Sequence, residues 1–560
     1  MTEAPASSDN FGRSGHIRMT GTGFSGKQGI SGAPHPNTRN RFGASRPPSR
    51  PLMKKPVRCG LFPSLLLAAI CLSAFTAAEA AQKPNIIVIL ADDLGWNELG
   101  CYGQTKIRTP NLDKLAAEGQ RWTQFYSGAP TCAPSRNVLL TGRHTGGVSV
   151  QDLKRADPKE TLQDLRGDWP MAADTYTLHR ALAASGYATA AFGKWGMGDY
   201  GTSGAPDRHG VDYFYGYTDH RMCHTFYPPY LWKNGVKQAL NEPGVLGHAR
   251  QPEGEVKAET YRGQKHASEA VLEEALGWVG AAANSAKPFF MYYCPLEPHV
   301  AMQPPQKWVD AYPQEWDSAP YRGEKGYLPH PRPRAAYAAT ISFLDDHVGQ
   351  LMRKLKETGA DQNTLVVFTS DNGTTHDVGG VDHDFFNSVS TLRGLKGQLH
   401  EGGIRVPTLV WWPGKVRASQ VVEQPGYSAD LMPTLCALTG ADPGKPLGEN
   451  LLPVVLGEKT ALDSRKPMVW TGGAYGGQVA VRLGDLKAVR RQLFRGSKGG
   501  RLGWEVYDLA KDLEEKNDLA TARPDVIEAA KTVLKKEYTH SAAFKELALF
   551  DEETVVQSEE

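Results

Sequence analysis

The run NIIVILADDLG, residues 85–95, decides the fold that this sequence predicts. Its apolar stretch is continuous and rich in β-branched residues, which is typical of a strand buried on both faces of a parallel sheet. The stretch ends in Asp92 and Asp93, and ligands of such sheets bind beyond the carboxyl ends of the strands. We therefore expect a functional site where this strand ends.

Further along the chain, helical segments alternate with apolar strands. DTYTLHRALAASG (174–186) and YAATISFLDDHVGQLMRKLKETG (337–359) have the apolar spacing and the stop signals of helices. KPFFMYYCPLEPH (287–299) and TLVVFTSDNG (364–373) are strand-like. This alternation predicts an α/β fold, with a large, mixed but mainly parallel sheet sandwiched by helices. Six polar residues follow such strands and are expected at one edge of the sheet: Asp92, Asp93, Lys194, His299, Asp371 and Asn372.

The hydrophobic pattern of the sequence changes at about residue 456. Shorter, alternating strands follow in PMVWTGG, GQVAVRLGDLKAVRRQ and WEVYDLAKD, and RPDVIEAAKTVLKKEY (523–538) has the pattern of a helix. This predicts a smaller C-terminal subdomain over 456–560, built from an antiparallel sheet plus a helix. We assign 81–455 to the larger domain.

The first eighty residues differ from the rest. Residues 1–52 are rich in Gly, Ser, Pro and Arg, a composition that predicts a disordered leader. Residues 53–80 combine a basic start, an apolar stretch and a small-residue cleavage site, which is the layout of a secretory signal peptide. We predict export to the periplasm or out of the cell, with no stable membrane span. The true start is either Met1 or Met53.

Charge and cysteine content narrow the class of protein. A formal net charge of +2 over 560 residues gives no reason to expect a nucleic-acid partner. Five of the 7 cysteines follow the signal segment, too few and too scattered for a disulfide framework, and no C-x-x-C spacing suggests zinc. From these facts alone, Cys132 could be a packing residue, half of a disulfide, a metal ligand or a nucleophile.

Two pairs of residues with side-chain oxygens, Asp92-Asp93 and Asp371-Asn372, follow buried strands. Carboxylate and amide oxygens are hard ligands that suit Ca²⁺ or Mg²⁺. The same residue types also favour turns at strand ends without any ion. Their expected meeting at one edge of the sheet favours the metal site.

Several segments together resemble one known family. PNIIVILADDLGWNELGCYG, CAPSRNVLLTGRH, GKWGMG, VVFTSDNG and LRGLKGQLHEGGIRVP occur in the order and approximate spacing of type I sulfatases of the arylsulfatase A type, formylglycine-dependent members of the alkaline phosphatase superfamily. The resemblance covers about residues 83–518. It implies an alkaline-phosphatase-like fold with 81–455 as the catalytic domain. It also implies an exported enzyme that hydrolyses sulfate monoesters, of aryl alcohols or carbohydrates, to the alcohol and inorganic sulfate.

The resemblance gives Cys132 a specific fate. In the family this cysteine is oxidised to Cα-formylglycine by a formylglycine-generating enzyme, which is therefore an expected partner during maturation. The hydrated aldehyde is a gem-diol, and one of its hydroxyls attacks sulfur to give a sulfo-enzyme intermediate. Its second hydroxyl then expels sulfate. Pro134 and Arg136 complete the segment that the modifying enzyme recognises.

The resemblance also assigns roles to the other site residues. One Ca²⁺, with Mg²⁺ as the second choice, is expected on Asp92, Asp93, Asp371, Asn372 and the modified Cys132. Arg136 is expected to orient the nucleophile and His144 to activate it. Lys194 and Lys396 would clamp the sulfate or protonate the leaving oxygen, and His299 would serve the leaving group as an acid.

The sequence departs from the family at Gly196, where many members have a histidine. His224 is predicted to bind substrate in its place, with His220 as the other candidate, and the roles of His376 and His383 stay open. Two rival functions remain. The same scaffold can hydrolyse phosphate or phosphonate monoesters, and the chain could be a non-catalytic protein that binds sulfated glycans.

Overall fold

The computed structural model of the chain describes residues 82–153, 168–494, 502–539 and 541. The predicted leader and signal peptide, residues 1–80, lie outside the described residues. Among the helices that are described, none is both long enough and apolar enough to cross a membrane.

Sixteen strands are found in the described ranges: β1 (Asn85–Ala91), β2 (Gln120–Trp122), β3 (Phe125–Tyr126), β4 (Ala188–Lys194), β5 (Tyr213–Tyr217), β6 (Tyr230–Lys233), β7 (Val236–Ala239), β8 (Phe289–Cys294), β9 (Thr364–Ser370), β10 (Thr408–Trp411), β11 (Gln420–Val422), β12 (Gly426–Tyr427), β13 (Met468–Gly472), β14 (Gln478–Leu483), β15 (Leu486–Arg491) and β16 (Trp504–Asp508). The α-helices in the same ranges are α1 (Pro110–Glu118), α2 (Cys132–Thr141), α3 (Leu178–Ala184), α4 (Ala267–Ala283), α5 (Gln306–Val309), α6 (Pro333–Glu357), α7 (His383–Phe386), α8 (Glu401–Ile404), α9 (Leu431–Thr439), α10 (Leu452–Val455) and α11 (Pro524–Glu537).

The main sheet has ten strands in the order β11-β2-β10-β9-β1-β8-β4-β5-β6-β7. Its centre, β9-β1-β8-β4-β5, is parallel throughout. The β10 strand runs antiparallel to both of its neighbours, and β6 and β7 add an antiparallel edge. The predicted large, mixed and mainly parallel sheet is confirmed. The carboxyl ends of β1, β4, β8 and β9 therefore lie along one edge.

The β1 strand shows why the opening run of residues belongs at the centre. Ile87 and Ile89 pack in a core on one face of the sheet, whereas Ile86 and Val88 pack in a second core on the other face. Helices cover both faces, so neither set of side chains meets water. A continuous apolar run is the pattern that such a doubly covered strand requires.

One predicted helix begins later than expected. The segment 174–186 forms α3 only from Leu178 onward, and Thr177 is its N-cap. The Thr177 hydroxyl accepts a hydrogen bond from the Arg180 amide at 3.3 Å. Asp174, the first residue of the predicted segment, lies outside the helix because Thr177 satisfies the first-turn amide.

The C-terminal strands form a separate antiparallel sheet in the order β13-β14-β15-β16. α11 packs on it and contributes Val526 and Leu534 to a core that includes Val481 and Val506. The predicted small sheet plus helix is confirmed. The boundary at residue 456 stays a prediction.

Candidate active site

The pairs Asp92-Asp93 and Asp371-Asn372 meet because β1 and β9 are adjacent and parallel. Asp92 and Asp93 directly follow β1, and Asp371 and Asn372 directly follow β9. The Asp93 amide donates a hydrogen bond to Asp371 Oδ1 at 3.2 Å, and Asn372 Nδ2 donates to Asp93 Oδ1 at 2.8 Å. Asp93 has a φ of +68°, a left-handed conformation that Asp tolerates better than most residues. The backbone turn thus directs both carboxylates of the first pair into one site.

Cys132 is the first residue of α2 and reaches the same place. Its Sγ lies 3.3 Å from Asp92 Oδ1 and 4.0 Å from Asp93 Oδ1. Burial and the charge of Asp92 raise the pKa of the Cys132 thiol to about 12. The thiol is therefore protonated near neutral pH and is not a thiolate nucleophile. Because the helix begins here, its partial positive charge favours an anion beside Cys132.

Arg136 lies one turn further along α2 and is fully buried. Its Nη2 and Nε donate to Asp371 Oδ2 at 2.6 and 3.1 Å, and its Nη1 donates to the carbonyl of Lys194 at 2.8 Å. A planar guanidinium can make these contacts together, which a lysine cannot. Arg136 thereby joins α2 to the ends of β9 and β4.

Two lysines balance the remaining carboxylates. Lys194 is the last residue of β4, and its Nζ lies 2.6 Å from Asp92 Oδ2. Lys396 comes from a loop, and its Nζ lies 2.7 Å from Asp93 Oδ1. Burial opposes ionisation of Asp92, but the charges of Lys194 and Arg136 hold its pKa well below the usual range. Each buried carboxylate thus faces a cationic side chain.

The site can hold a metal cation as well. Burial and the neighbouring Asp92 charge raise the pKa of Asp371 to about 6, although Arg136 opposes this rise. Crowded carboxylates of this kind are stabilised by further positive charge. The Asn372 Oδ1 atom is buried and has no hydrogen-bond partner among the described residues. Potential ligand atoms of Asp92, Asp93, Cys132 and His299 lie within 4.8 Å of one another. Within this group the carboxylate oxygens of Asp92 and Asp93 are the donors that fit a hard divalent cation, whereas Asp371, which we also predicted as a ligand, is not part of the group.

His299 follows β8 and lies against the carboxylates. Its Nε2 is 3.7 Å from Asp93 Oδ2, and its Nδ1 is hydrogen-bonded to the carbonyl of Val300. A carbonyl only accepts, so Nδ1 carries the proton and the neutral ring presents the Nε2 lone pair to the site. Burial and the charge of Lys396 lower the pKa of His299 to about 4. An acid role therefore requires that Nε2 first takes up a proton, which a bound anion favours.

His224 lies one ring further out. Its imidazole stacks on that of His299, with centroids 5.4 Å apart and planes 16° apart. The other candidate, His220, pairs with Asp168 through Nδ1. Gly196 has a φ of +72°, and a Cβ placed there would meet only Asp168 Oδ2, at 3.8 Å. The Asp168–His220 pair therefore lies beside the position where the family has a histidine.

The open histidines differ in position. His376 lies close enough to the site that the charge of Lys396 contributes, after burial, to lowering its pKa. His383 begins α7, and within the described ranges no hydrogen bond or ion pair joins its side chain to the site. The structure gives neither a catalytic contact.

His144 is the one predicted catalytic residue that the structure does not bring to this place. Its Nε2 lies 3.2 Å from Glu537 of α11. In the part of the chain that is described, no hydrogen bond or ion pair links it to Cys132 or to the carboxylates. The reason is the intervening helix, because the ten residues of α2 span about 15 Å. Proximity in the motif is therefore not proximity in space.

Two further residues, Tyr327 and His248, border the site and were not predicted from the sequence. The Tyr327 ring lies 5.1 Å from that of His224 and 5.9 Å from that of His299, and His248 Nε2 lies 2.9 Å from His224 Nδ1. Both come from loops without periodic patterning. The sequence offers no signal for them beyond their residue types.

A family model described as Sulfatase matches residues 84–441, which contain every residue of this site. The chain belongs to the sulfatase family. This sulfatase is 30% identical over 433 residues to N-acetylgalactosamine-6-sulfatase of Canis lupus familiaris, covering 76% of the chain and 74% of that protein. It is 32% identical over 504 residues to arylsulfatase A of Homo sapiens, covering 84% of the chain and 89% of that protein. The chain is accordingly a sulfuric ester hydrolase.

Solved structures share the fold of this sulfatase. Ps i-CgsB in complex with k-i-k-neocarrahexaose matches with a TM-score of 0.64 and 24% identity, covering 85% of the chain and 96% of that protein. The phosphonate monoester hydrolase of Agrobacterium radiobacter matches with a TM-score of 0.53 and 19% identity, covering 81% of the chain and 95% of that protein. These likenesses confirm the alkaline-phosphatase-like architecture of the sulfatase.

Proposed function

We propose that this sulfatase is an exported, calcium-dependent enzyme that removes sulfate from a sulfated carbohydrate, with Cα-formylglycine at position 132. One observation carries the proposal. Cys132, at the start of α2, lies 3.3 Å from Asp92, in a site that also contains Lys194, Lys396 and Arg136. The names of relatives that act on N-acetylgalactosamine 6-sulfate support a carbohydrate substrate.

The nucleophile is the first element of the proposal. The Cys132 thiol is buried and protonated, so it is a poor nucleophile as encoded. Conversion to formylglycine by a formylglycine-generating enzyme would supply a hydroxyl of the hydrated aldehyde for attack on sulfur. Asp92 Oδ1 lies 3.3 Å from Cys132 Sγ and can accept a hydrogen bond from a hydroxyl at this position. Arg136 keeps this turn of α2 fixed against Asp371.

The metal is the second element. Asp92, Asp93, Asp371 and Asn372 would hold one Ca²⁺, with Mg²⁺ as the alternative, because all four offer oxygen ligands. When bound, such a cation would polarise a sulfate ester and lower the pKa of a nearby hydroxyl. Lys194 and Lys396 lie 2.6 and 2.7 Å from the carboxylates of Asp92 and Asp93, so both ammonium groups would border the bound sulfate.

Substrate binding follows from the same residues. Lys194 and Lys396 approach through two different carboxylates, so a sulfate between them meets positive charge from both. We assign His299, whose Nε2 lies 3.7 Å from Asp93 Oδ2, to serve the oxygen that leaves sulfur. His224, which stacks behind it, is placed to contact the alcohol part of the substrate.

Export rests on the sequence of residues 53–80, whose basic, apolar and small-residue parts follow the order of a signal peptide. We infer a periplasmic or secreted enzyme. Sequencing the N-terminus of the protein secreted by its native host tests this inference. Cleavage after about residue 80 is expected, and a mature protein that retains residues 53–80 would contradict it.

The central test combines mass spectrometry with kinetics. The peptide that carries Cys132 is expected to contain formylglycine when the chain is produced together with a formylglycine-generating enzyme. Cys132→Ala should abolish sulfate release from 4-nitrophenyl sulfate and preserve binding of a sulfated sugar. An unmodified thiol in fully active enzyme would overturn the assignment of the nucleophile.

The rival activities give different outcomes. Faster hydrolysis of 4-nitrophenyl phosphate or of a phosphonate monoester than of 4-nitrophenyl sulfate would favour the other chemistry of this scaffold. Binding of sulfated sugars without any sulfate release by the matured chain would favour the glycan-binding alternative. Two lysines and an arginine form ion pairs with the carboxylates of the site, and this supports a sulfatase site with a single cation.

A further inference from the structure

A chain of hydrogen bonds runs from the backbone of Tyr327 to a histidine beside the candidate active site. The Tyr327 amide donates to His248 Nδ1 at 3.0 Å. A backbone amide is always a donor, so His248 Nδ1 must present its lone pair. The neutral His248 ring therefore carries its proton on Nε2. One contact with the main chain fixes the tautomer of this side chain.

The contact between His248 and His224 continues the same donor-to-acceptor direction. His248 Nε2 lies 2.9 Å from His224 Nδ1. Since the proton of His248 is on Nε2, His224 Nδ1 accepts, and the neutral His224 ring must carry its own proton on Nε2. Within the described ranges, no protein group is hydrogen-bonded to His224 Nε2. His224 thus has one donor that is oriented and still available.

The position of that donor relates it to the substrate. The His224 ring stacks on His299, which lies 3.7 Å from Asp93, whereas His224 itself has no ion pair with the carboxylates among the described residues. It is therefore placed beside the alcohol part of a sulfate ester and not at the sulfur. Imidazole N–H groups are suitable donors to the hydroxyl and ring oxygens of a sugar.

Tyr327 holds the far end of this chain in an unusual conformation. Its φ is +63°, which is uncommon for a residue with a Cβ. Its ring stacks on His248, with centroids 4.5 Å apart, and contacts His224 at 5.1 Å. Strained residues of this kind persist where the surroundings impose them and are concentrated at binding sites. The strain here presents the amide to His248 and the ring to both imidazoles.

We propose that His248 is a positioning residue for substrate recognition. The Tyr327 amide fixes the tautomer of His248, and His248 in turn fixes the tautomer of His224, so that His224 Nε2–H donates to an oxygen of the sulfated sugar. The inference rests on the proposed function as a carbohydrate sulfatase. It adds a residue outside the motifs and gives it a defined role. His248 does not touch substrate and acts through His224 alone.

The test compares two substitutions of His248 in the full, formylglycine-matured chain. His248→Gln retains an acceptor for the Tyr327 amide and a donor for His224, whereas His248→Leu retains neither. Kinetics are measured with N-acetylgalactosamine 6-sulfate and with 4-nitrophenyl sulfate, which has no sugar oxygens. We expect His248→Leu to lower kcat/KM for the sugar about fivefold to tenfold, through KM, as the loss of one oriented hydrogen bond predicts. The value for 4-nitrophenyl sulfate should change less than about twofold, and His248→Gln should restore the sugar value.

Binding provides a measurement that is independent of turnover. Titration of N-acetylgalactosamine 6-sulfate into the Cys132→Ser chain should show the same loss of affinity for the added His248→Leu substitution. In a chain that carries His224→Ala, the substitution of His248 should have no further effect, because the two residues act as a unit. Equal melting temperatures of the Gln and Leu variants would show that the comparison does not measure unfolding.

Several outcomes would overturn this inference and leave the sulfatase function standing. These are unchanged affinity and kcat/KM for the sugar in His248→Leu, an equal loss with both substrates, and a Gln variant as impaired as the Leu variant. Release of sulfate from 4-nitrophenyl sulfate only, with no binding of the sugar, would also overturn it. Absence of sulfate release from every substrate by the matured wild-type chain overturns the proposed function itself, whereas the binding titration still decides the role of His248.

Discussion

Replacing Gln478 with methionine tests whether the C-terminal sheet keeps Lys396 in the active site. Gln478 begins β14 and is buried. Its Nε2 donates to the carbonyl of Gly397 at 2.7 Å, and its Oε1 accepts from the amide of Leu399 at 3.3 Å. Both groups belong to the loop that carries Lys396. Methionine has a similar volume but makes neither hydrogen bond.

The size of the effect follows from the groups left without partners. A buried polar group that loses its partner costs about 1–3 kcal/mol. The two loop groups together therefore lose about 2–6 kcal/mol of local stability. Because 1.4 kcal/mol is a factor of ten, the open form of the loop becomes at least about thirtyfold more populated. Small displacements of a catalytic group lower rates strongly, and we expect kcat/KM for 4-nitrophenyl sulfate to fall about tenfold.

Hydrogen exchange read by mass spectrometry measures the loop directly. Amides in peptides that cover residues 393–400 should exchange at least about thirtyfold faster in Gln478→Met. Val481→Ala is the matched control, because the Val481 side chain lies in the core of the same sheet and has no polar group that could bind the Lys396 loop. The control should destabilise the sheet by a comparable amount and leave kcat/KM unchanged.

Wild-type values for both kcat/KM and exchange in residues 393–400 would show that Gln478 does not hold the Lys396 loop. An equal fall of kcat/KM in Val481→Ala would show that general destabilisation of the sheet, and not the lost hydrogen bonds, explains the effect.

Three further predictions concern the metal, Arg136 and a buried histidine. Removal of divalent cations with EDTA should abolish sulfate release, and Ca²⁺ should restore it better than Mg²⁺; equal restoration by Mg²⁺ would contradict the calcium assignment. Arg136→Lys keeps the charge but loses the paired contact with Asp371, so unfolding by urea should show a loss of about 3 kcal/mol; wild-type stability would refute this. Burial lowers the pKa of His179 to about 3, so the neutral ring stabilises the fold above pH 6.5 and this contribution is lost as the pH falls toward 3. Between pH 7 and pH 5, the free energy of unfolding of His179→Phe should therefore fall by about 2 kcal/mol less than that of the wild type. An identical pH dependence of urea unfolding in the two proteins would contradict this prediction.

The sequence was sufficient for the parts of the site that strands deliver. Continuous apolar runs identified β1 and β9 as buried strands, and parallel neighbours must end at one edge. The meeting of Asp92 with Asp371 followed from these two facts and from no knowledge of the register. The resemblance to a family then supplied Cys132 and Lys396, whose positions depend on a helix start and a loop.

The remaining features depend on tertiary packing that no local pattern encodes. His224 ends a short 3-10 helix, and His248 and Tyr327 come from two separate loops, so their rings meet only through the tertiary fold. His144 is a contrasting case. The resemblance to the family gave it a catalytic role, whereas the structure places it beside Glu537, at the far end of α2 from Cys132. Its role stays a prediction.

The burial of Cys132 has a consequence for the timing of maturation. Only 4% of this residue is exposed in the folded chain, so the proposed conversion to formylglycine would require access before the surrounding strands assemble. One side of that enclosure is Asp371, which leaves the ribosome roughly 240 residues later. At about 5–20 residues per second, synthesis leaves an interval of about 10–50 s. Under this proposal folding and oxidation would compete, and a chain that folded first would be correctly folded but inactive.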